Sequence, residues 1–402
     1  MVTVQRFLTP RRVSYAMLTG GVLWGAWLLS LLLGRGHLDA AGQPIGTDYL
    51  QFYAAGYTVR TGQSDRLYDI DWQAALEREI IGPELTSYHA FITPPFLAWA
   101  FVPLSLLSYP VSYAVWSAVG LVLLWFSVML LSEAPLLRTY LWALAFFPVF
   151  AAISFGQNAL LTLFLFIATY RLWRRGHCLA AGLALSLTLY KPQLALGIAV
   201  LWALDLRRAW VALVGLAAGG FALATLSFGL LPDASWAYVA FARTVLPDLP
   251  SWQAFPIWHL HTVRGFWRLL LPGVPVVADA LTGVLAVAGL WGFVQLKHRV
   301  PARPDLHFAG ATVLSLWLTP HAMIYDLALL LIPAWVLWYG YKELLDRWRA
   351  LFAVAWLAVL LSGPLTHMQL QVAPLALQVS VPVLAWVYLR VCRSLTHSLV
   401  ST

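Results

Sequence analysis

Four short stretches place chemically capable side chains inside an otherwise apolar chain: Asp48 and Tyr49 in GTDYLQFYAAG, Gln157 in SFGQN, Lys191 in LYKPQ, and His321 with Asp326 in LTPHAMIYD. A carboxylate can take a proton from an attacking hydroxyl. A lysine and a histidine can offer positive charge or a hydrogen-bond donor to developing negative charge. Ionisable groups among membrane helices are costly, and they are usually functional or paired. Each residue also has a structural alternative. Asp48 is well suited to cap a helix that starts at Tyr49. Lys191 can snorkel to lipid headgroups, with Pro192 starting a new helix. His321, after Pro320, suits a neutral hydrogen-bonded imidazole. Gln157 suits a polar contact between helices, and Asp326 can pair with Lys191 or His321. All of them are expected at one level of the fold, and that convergence favours a shared site.

The elements that must hold them are membrane helices. Of 402 residues, 61% are hydrophobic and only 10% are charged, against roughly 25% charged in an average soluble chain. Apolar runs long enough to cross a ~30 Å hydrocarbon layer recur along the chain. Candidate spans begin near Val13, Val111, Tyr140, Ala159, Leu179, Gln193, Ala209, Val276, His307, Tyr325, Leu351 and Val372. The expected fold is therefore all-α, a polytopic transmembrane bundle of about 12 helices forming one domain over residues 1–402. The first apolar run follows Arg6, Arg11 and Arg12 but exceeds the length of a signal-peptide core, so it is expected to remain as a helix.

Basic residues orient the bundle. With a cytoplasmic N-terminus, most of the 25 Lys and Arg fall inside, including Arg138, RLWRRGH, Arg207 with Arg208, KHRVPAR, Lys342 to Arg349, and Arg390 with Arg393. That pattern satisfies the positive-inside rule and places both termini in the cytoplasm. The net charge of +8 is thereby explained by orientation, and nucleic acid is not an expected partner. The scheme requires the apolar segment 92–108 to be a re-entrant or interfacial hairpin, consistent with Pro94, Pro95 and Pro103. Cys178 and Cys392 then lie on the cytoplasmic side, without a disulfide and without zinc spacing. Two long outer loops remain, residues 37–92 and 231–275, with amphipathic stretches such as DWQAALEREI suited to the membrane surface. In the second loop Trp236, Tyr238, Trp252 and Trp258 offer aromatic faces for a sugar or an isoprenoid. Trp258 joins Tyr49, Gln157, Lys191, His321 and Asp326 as a candidate substrate-binding residue.

GTDYLQFYAAGYTVRTGQSDRLYD resembles the opening of glycosyltransferase family 87, and the likeness continues in order through ITPPFLAWAFVPLSLLS, SFGQNALL, AGLALSLTLYKPQLAL and LTPHAMIYDLALL. Two segments depart from the family pattern, Thr93 before the proline pair and WHLHTVRG in the second loop. The resemblance implies a GT-C type fold and a polyprenyl-phosphate-sugar donor, with mannose as the sugar and α-1,2 transfer. It implies a glycolipid or glycan acceptor on the extracytoplasmic side of the cell inner (plasma) membrane, and inversion at the anomeric carbon. Asp48 matches the family's first-loop carboxylate, the catalytic base, and His321 matches a functionally important late histidine.

Physical chemistry accommodates that reading. Asp48 can deprotonate the acceptor hydroxyl, and Lys191 and His321 can meet the negative charge on a departing phosphate. One phosphate requires no metal, no carboxylate cluster of the kind Mg²⁺ favours is present, and no cofactor is expected. The competing class is a transporter or flippase for a lipid-linked saccharide, for which internal repeats and midplane polar residues are expected and not found. A membrane acyltransferase with His321 as base would need a polar cluster on the cytoplasmic side, where the sequence has only a basic rim.

Overall fold

The computed structural model describes residues 10–131, 136–247, 255–340 and 345–389. Within them the chain is helical, and its extended pairings are isolated bridges such as Leu260 with Met323. Helix α1 (Pro10–Leu33) leads into the first insertion, which carries α2 (Tyr49–Arg60) and α3 (Ile70–Ile81). A short α4 (Pro95–Phe101) and a 3-10 turn (Leu104–Leu106) precede α5 (Tyr109–Leu131). Helices α6 (Leu136–Leu144) and α7 (Phe147–Ser154) meet at a 71° bend. Next come α8 (Ala159–Arg174), α9 (Cys178–Ser186), α10 (Pro192–Ala203) and α11 (Leu206–Leu230), then the second insertion with α12 (Pro232–Thr244) and α13 (Val263–Leu270). Helices α14 (Pro275–Arg299) and α15 (Pro304–Leu318) lead to a 3-10 segment (Ile324–Leu330) that runs into α16 (Leu331–Gly340). Helices α17 (Leu345–Val372) and α18 (Ser380–Leu389) follow.

Among the described residues five helices are long and apolar enough to cross a membrane: Ser14–Leu33, Tyr109–Leu131, Leu206–Leu230, Pro275–Arg299 and Leu351–Val372. The bent pair α6 and α7 makes a sixth if counted as one span. Other expected spans are present as shorter helices, 16 residues in α8, 9 in α9, 12 in α10 and 15 in α15. A 12-residue helix covers about 18 Å at 1.5 Å per residue. Each of these short helices has an end at one of the polar breaks seen in the sequence. Pro192 begins α10, where its missing N–H costs no intrahelical bond. The segment 92–108 likewise holds only the short α4 and one 3-10 turn.

Between lipid-exposed helices the driving force is close packing rather than escape from water, so small residues mark the tight contacts. Helices α9 and α11 show this. A Cβ on Gly182 would run into the Ala212 carbonyl oxygen, and one on Gly215 into the Leu179 carbonyl oxygen. The main core adds Phe166, Trp202, Phe293 and Phe308.

A second core lies under the first insertion, built from Tyr49, Phe52, Phe91, Phe101 and Tyr113. Phe52 stacks on Phe101 with ring centroids 5.0 Å apart. Helix α3 is capped by Asp69, which accepts from the Asp71 and Trp72 amides at 3.0 and 3.1 Å. Its buried face presents Gln73 and Glu77, one turn apart. Gln73 Oε1 accepts from the Phe91 amide at 2.8 Å and the Tyr88 hydroxyl at 2.9 Å, while Glu77 Oε2 accepts from the His89 amide at 2.9 Å. These bonds fix the segment just before the Pro94–Pro95 pair. Trp252, Cys392, Arg390, Arg393 and Lys342 lie outside the described residues.

Two lysines mark opposite ends of α10. Lys191, just before the helix, donates to Asp326 Oδ1 at 2.7 Å. Lys297 donates to the Leu201 carbonyl near the other end, at 3.5 Å. The Lys191 side chain is 13% exposed and that of Asp326 is 3% exposed. Removing one partner of such a pair leaves the other charge buried without compensation, which costs about 3–5 kcal/mol. Lys191→Met should therefore lower the thermal unfolding midpoint in detergent sharply. The double variant Lys191→Met with Asp326→Asn should recover most of the loss.

Candidate active site

Asp48 occupies the position before α2, yet its side chain makes no capping hydrogen bond to that helix. Its carboxylate points across the fold instead. Gln157 Nε2 donates to Oδ2 at 2.9 Å, His89 Nδ1 lies 3.7 Å from Oδ1, and Tyr325 is near enough for its hydroxyl to feel the charge of the same carboxylate. The backbone explains this meeting. The Tyr49 amide, first in α2, donates to the Gly46 carbonyl at 2.6 Å and to the Phe155 carbonyl at 3.0 Å. That second bond stitches the start of α2 onto the turn between α7 and α8. Gly156 makes the turn with φ +67°, and a Cβ there would lie 2.5 Å from Tyr49 Cβ. Only glycine combines that conformation with that approach. Gln157 is thereby delivered beside Asp48.

The surroundings set the charges. Burial alone would raise the Asp48 pKa, but the nearby His89 imidazole and the Gln157 hydrogen bond outweigh it and hold the group below the ordinary carboxylate value. Burial would lower His89, and Asp48 and Glu77 together reverse that and raise it. Glu77 is pushed up to about 8 by burial, despite the His89 amide that it accepts. His259, whose charge would act on Asp48, is pushed down to about 4 by burial and is neutral at pH 7. Asp48 therefore remains an ionised carboxylate in contact with donors, and its side chain is 26% exposed.

Beside this carboxylate stand the other polar groups. Lys191 is paired with Asp326, whose Oδ2 also accepts from the Met323 amide at 3.1 Å. The Lys191 ammonium lies over the Tyr325 ring, 4.9 Å from its centroid. Four of the expected residues, Asp48 with Gln157 and Lys191 with Asp326, thus form two pairs that border Tyr325. Tyr49 is fully buried, its hydroxyl bonded to Ser112 and its ring among Tyr53, Phe101, Tyr109 and Tyr113. His321 lies apart, its ring 6.2 Å from that of Phe255, and burial followed by the nearby Arg264 charge pushes its pKa down to about 4. Trp258 packs against His259 and against His367 of α17, with ring centroids 3.7 and 4.8 Å away. Elsewhere in the second insertion Tyr238 packs on Tyr68 and Trp236 on Phe228.

Sequence reasoning did not single out His89, His259 or Tyr325. Tyr325 sits beside Asp326 inside LTPHAMIYD, and His259 sits in WHLHTVRG. His89 carried no motif, and only its place shortly before the proline pair offered a signal. Among the described residues no group of three or more His, Cys, Asp or Glu is placed to hold a metal ion.

The profile of glycosyltransferase family 87 matches residues 91–320. The matched stretch contains Gln157, Lys191 and Trp258, while Asp48 and His89 precede it and His321 and Asp326 follow its end. No curated protein and no solved structure matches the chain. Because the match spans more than half of an all-helical chain with several membrane-length helices, the protein belongs to glycosyltransferase family 87.

Proposed function

We propose that this membrane glycosyltransferase moves a hexose, mannose by family resemblance, from a polyprenyl-phosphate donor to a hydroxyl of a glycolipid or glycan acceptor. The reaction inverts the anomeric carbon, and Asp48 is the general base. In this reading the bundle crosses the inner membrane about a dozen times, the short helices completing the set. Asp48 then faces the extracytoplasmic side, and both termini lie in the cytoplasm. Family membership favours group transfer over the transport reading.

The observation that carries the proposal is the disposition of Asp48: a partly exposed carboxylate that forgoes its own helix cap and is aligned by Gln157 at 2.9 Å. A general base must approach the hydroxyl to roughly 2.6–3.2 Å, and a carboxylate already oriented by its neighbours loses little freedom in doing so. Lys191 contributes less free charge than its sequence position promised, since Asp326 neutralises it. His321, pushed down to about 4, is available as a neutral imidazole donor.

Asp48→Asn retains shape and capping ability but removes the proton-accepting charge. Turnover of a polyprenyl-phosphate-sugar donor should fall by about two to four orders of magnitude, with donor binding retained. A near-normal rate in a folded variant would rule Asp48 out as the base. Orientation is checked by cysteine labelling in intact cells, after Cys178 and Cys392 are replaced by serine. Glu84→Cys should react with a membrane-impermeant reagent, and Arg174→Cys only after permeabilisation. The reverse pattern would invert the topology.

A further inference from the structure

Asp48 is held from two sides, and one of its holders can change charge. Gln157 fixes Oδ2 at 2.9 Å through an amide that does not titrate. His89 faces Oδ1 with Nδ1 at 3.7 Å, while its Nε2 lies 3.0 Å from Ser87 Oγ and its backbone amide is bonded to Glu77. The ring is thus held by Ser87 on a segment that α3 clamps through Gln73 and Glu77, with its other nitrogen facing Asp48. Its side chain is 11% exposed. Water screens the Asp48 contact little at that burial, so a change of charge on the ring is felt strongly by the carboxylate.

We propose that His89 is a positioning residue for Asp48, and that uptake of a proton by its imidazole draws the carboxylate into an ion pair and suppresses its action as a base. The inference rests on Asp48 being the base and adds a residue to that site. The efficiency of a general base falls as its basicity falls, and a neighbouring imidazolium lowers the basicity of a carboxylate. With His89 neutral, the ring and Gln157 orient Asp48 without a full opposing charge. The charged and titratable groups around His89 are Asp48 just before α2 and Glu77 on α3, while His259 and Tyr325 interact with Asp48. The sign follows from these neighbours. Burial lowers the His89 pKa, but Asp48 and Glu77 raise it above the ordinary value of 6.5, so the inhibitory form persists past that pH and activity rises as the pH passes above it.

The test is the pH dependence of kcat/KM with a polyprenyl-phosphate-sugar donor, measured on the full-length protein in lipid nanodiscs. The wild type should lose activity on the acid side with a midpoint above 6.5. His89→Gln, which keeps a side-chain donor but cannot titrate, should abolish the imidazole limb so that activity falls only where Asp48 itself takes up a proton, with a plateau within about tenfold of the wild type. Glu77→Gln, which keeps an acceptor for the His89 amide, should keep the limb, because Glu77 is pushed up to about 8 and is already largely uncharged at the pH where the limb falls. An unchanged acid limb in His89→Gln, an inactive but folded His89→Gln, or a limb lost in Glu77→Gln would overturn the proposal. Asp48→Asn in the same assay separates the two readings. Inactive Asp48→Asn beside an unchanged His89→Gln limb defeats only the role of His89, whereas active Asp48→Asn defeats the base assignment itself.

Discussion

A charge taken away from water must be met by a partner, and much of the architecture around the site follows from how one such debt is settled. Asp326 receives the Lys191 ammonium on one oxygen and the Met323 amide on the other. This pair ties the start of α10 to the start of the 324–330 segment, two places where the chain leaves regular helix. The ammonium then packs on the Tyr325 ring, and the Tyr325 hydroxyl feels the charge of Asp48. A structural ion pair and the Asp48 carboxylate thus border the same aromatic side chain. The arrangement separates two roles that a bare cluster of charges would confuse, because the mutually satisfied pair supplies rigidity while Asp48 keeps an exposed edge.

The same division of labour governs the backbone. Helices that stop short leave amide and carbonyl groups without intrahelical partners, and such groups must be satisfied within the protein. At the Phe155–Gly156 turn the spare carbonyl of Phe155 takes the first amide of α2. That bond seats the first turn of α2 while the Asp48 side chain takes no part in capping. Seating the start of α2 and closing the α7–α8 turn are therefore one structural event, and Gly156 is the residue that permits it.

Much of this was readable in the amino-acid order. The helical class followed from apolar runs too extensive for a soluble core, and Asp48, Gln157, Lys191 and Asp326 stood out because polar groups in such surroundings are costly. What pattern could not supply was pairing. Asp326 was seen as a possible partner for either Lys191 or His321, and only three-dimensional packing decides for Lys191. Helix lengths were also hidden, because hydropathy continues across the breaks at 156–158 and 187–191 although the backbone turns there. His89 escaped notice for a different reason. It lies in a polar loop where a histidine is unremarkable, and its approach to Asp48 depends on backbone amides donating to Gln73 and Glu77, which no local motif encodes.

The short helices carry a further physical implication. Helices α9 and α10, of 9 and 12 residues, stand between longer neighbours such as α11 with its 25. Their apolar length falls well below a ~30 Å hydrocarbon layer, and a bilayer meeting such a wall thins locally or lets headgroups sink toward it. Deformation of this kind is a property of the lipid as much as of the protein. On the flank where Lys191 begins α10, the elasticity of the membrane would therefore set how near a lipid headgroup lies to the bundle interior, nearer than beside a full-length span.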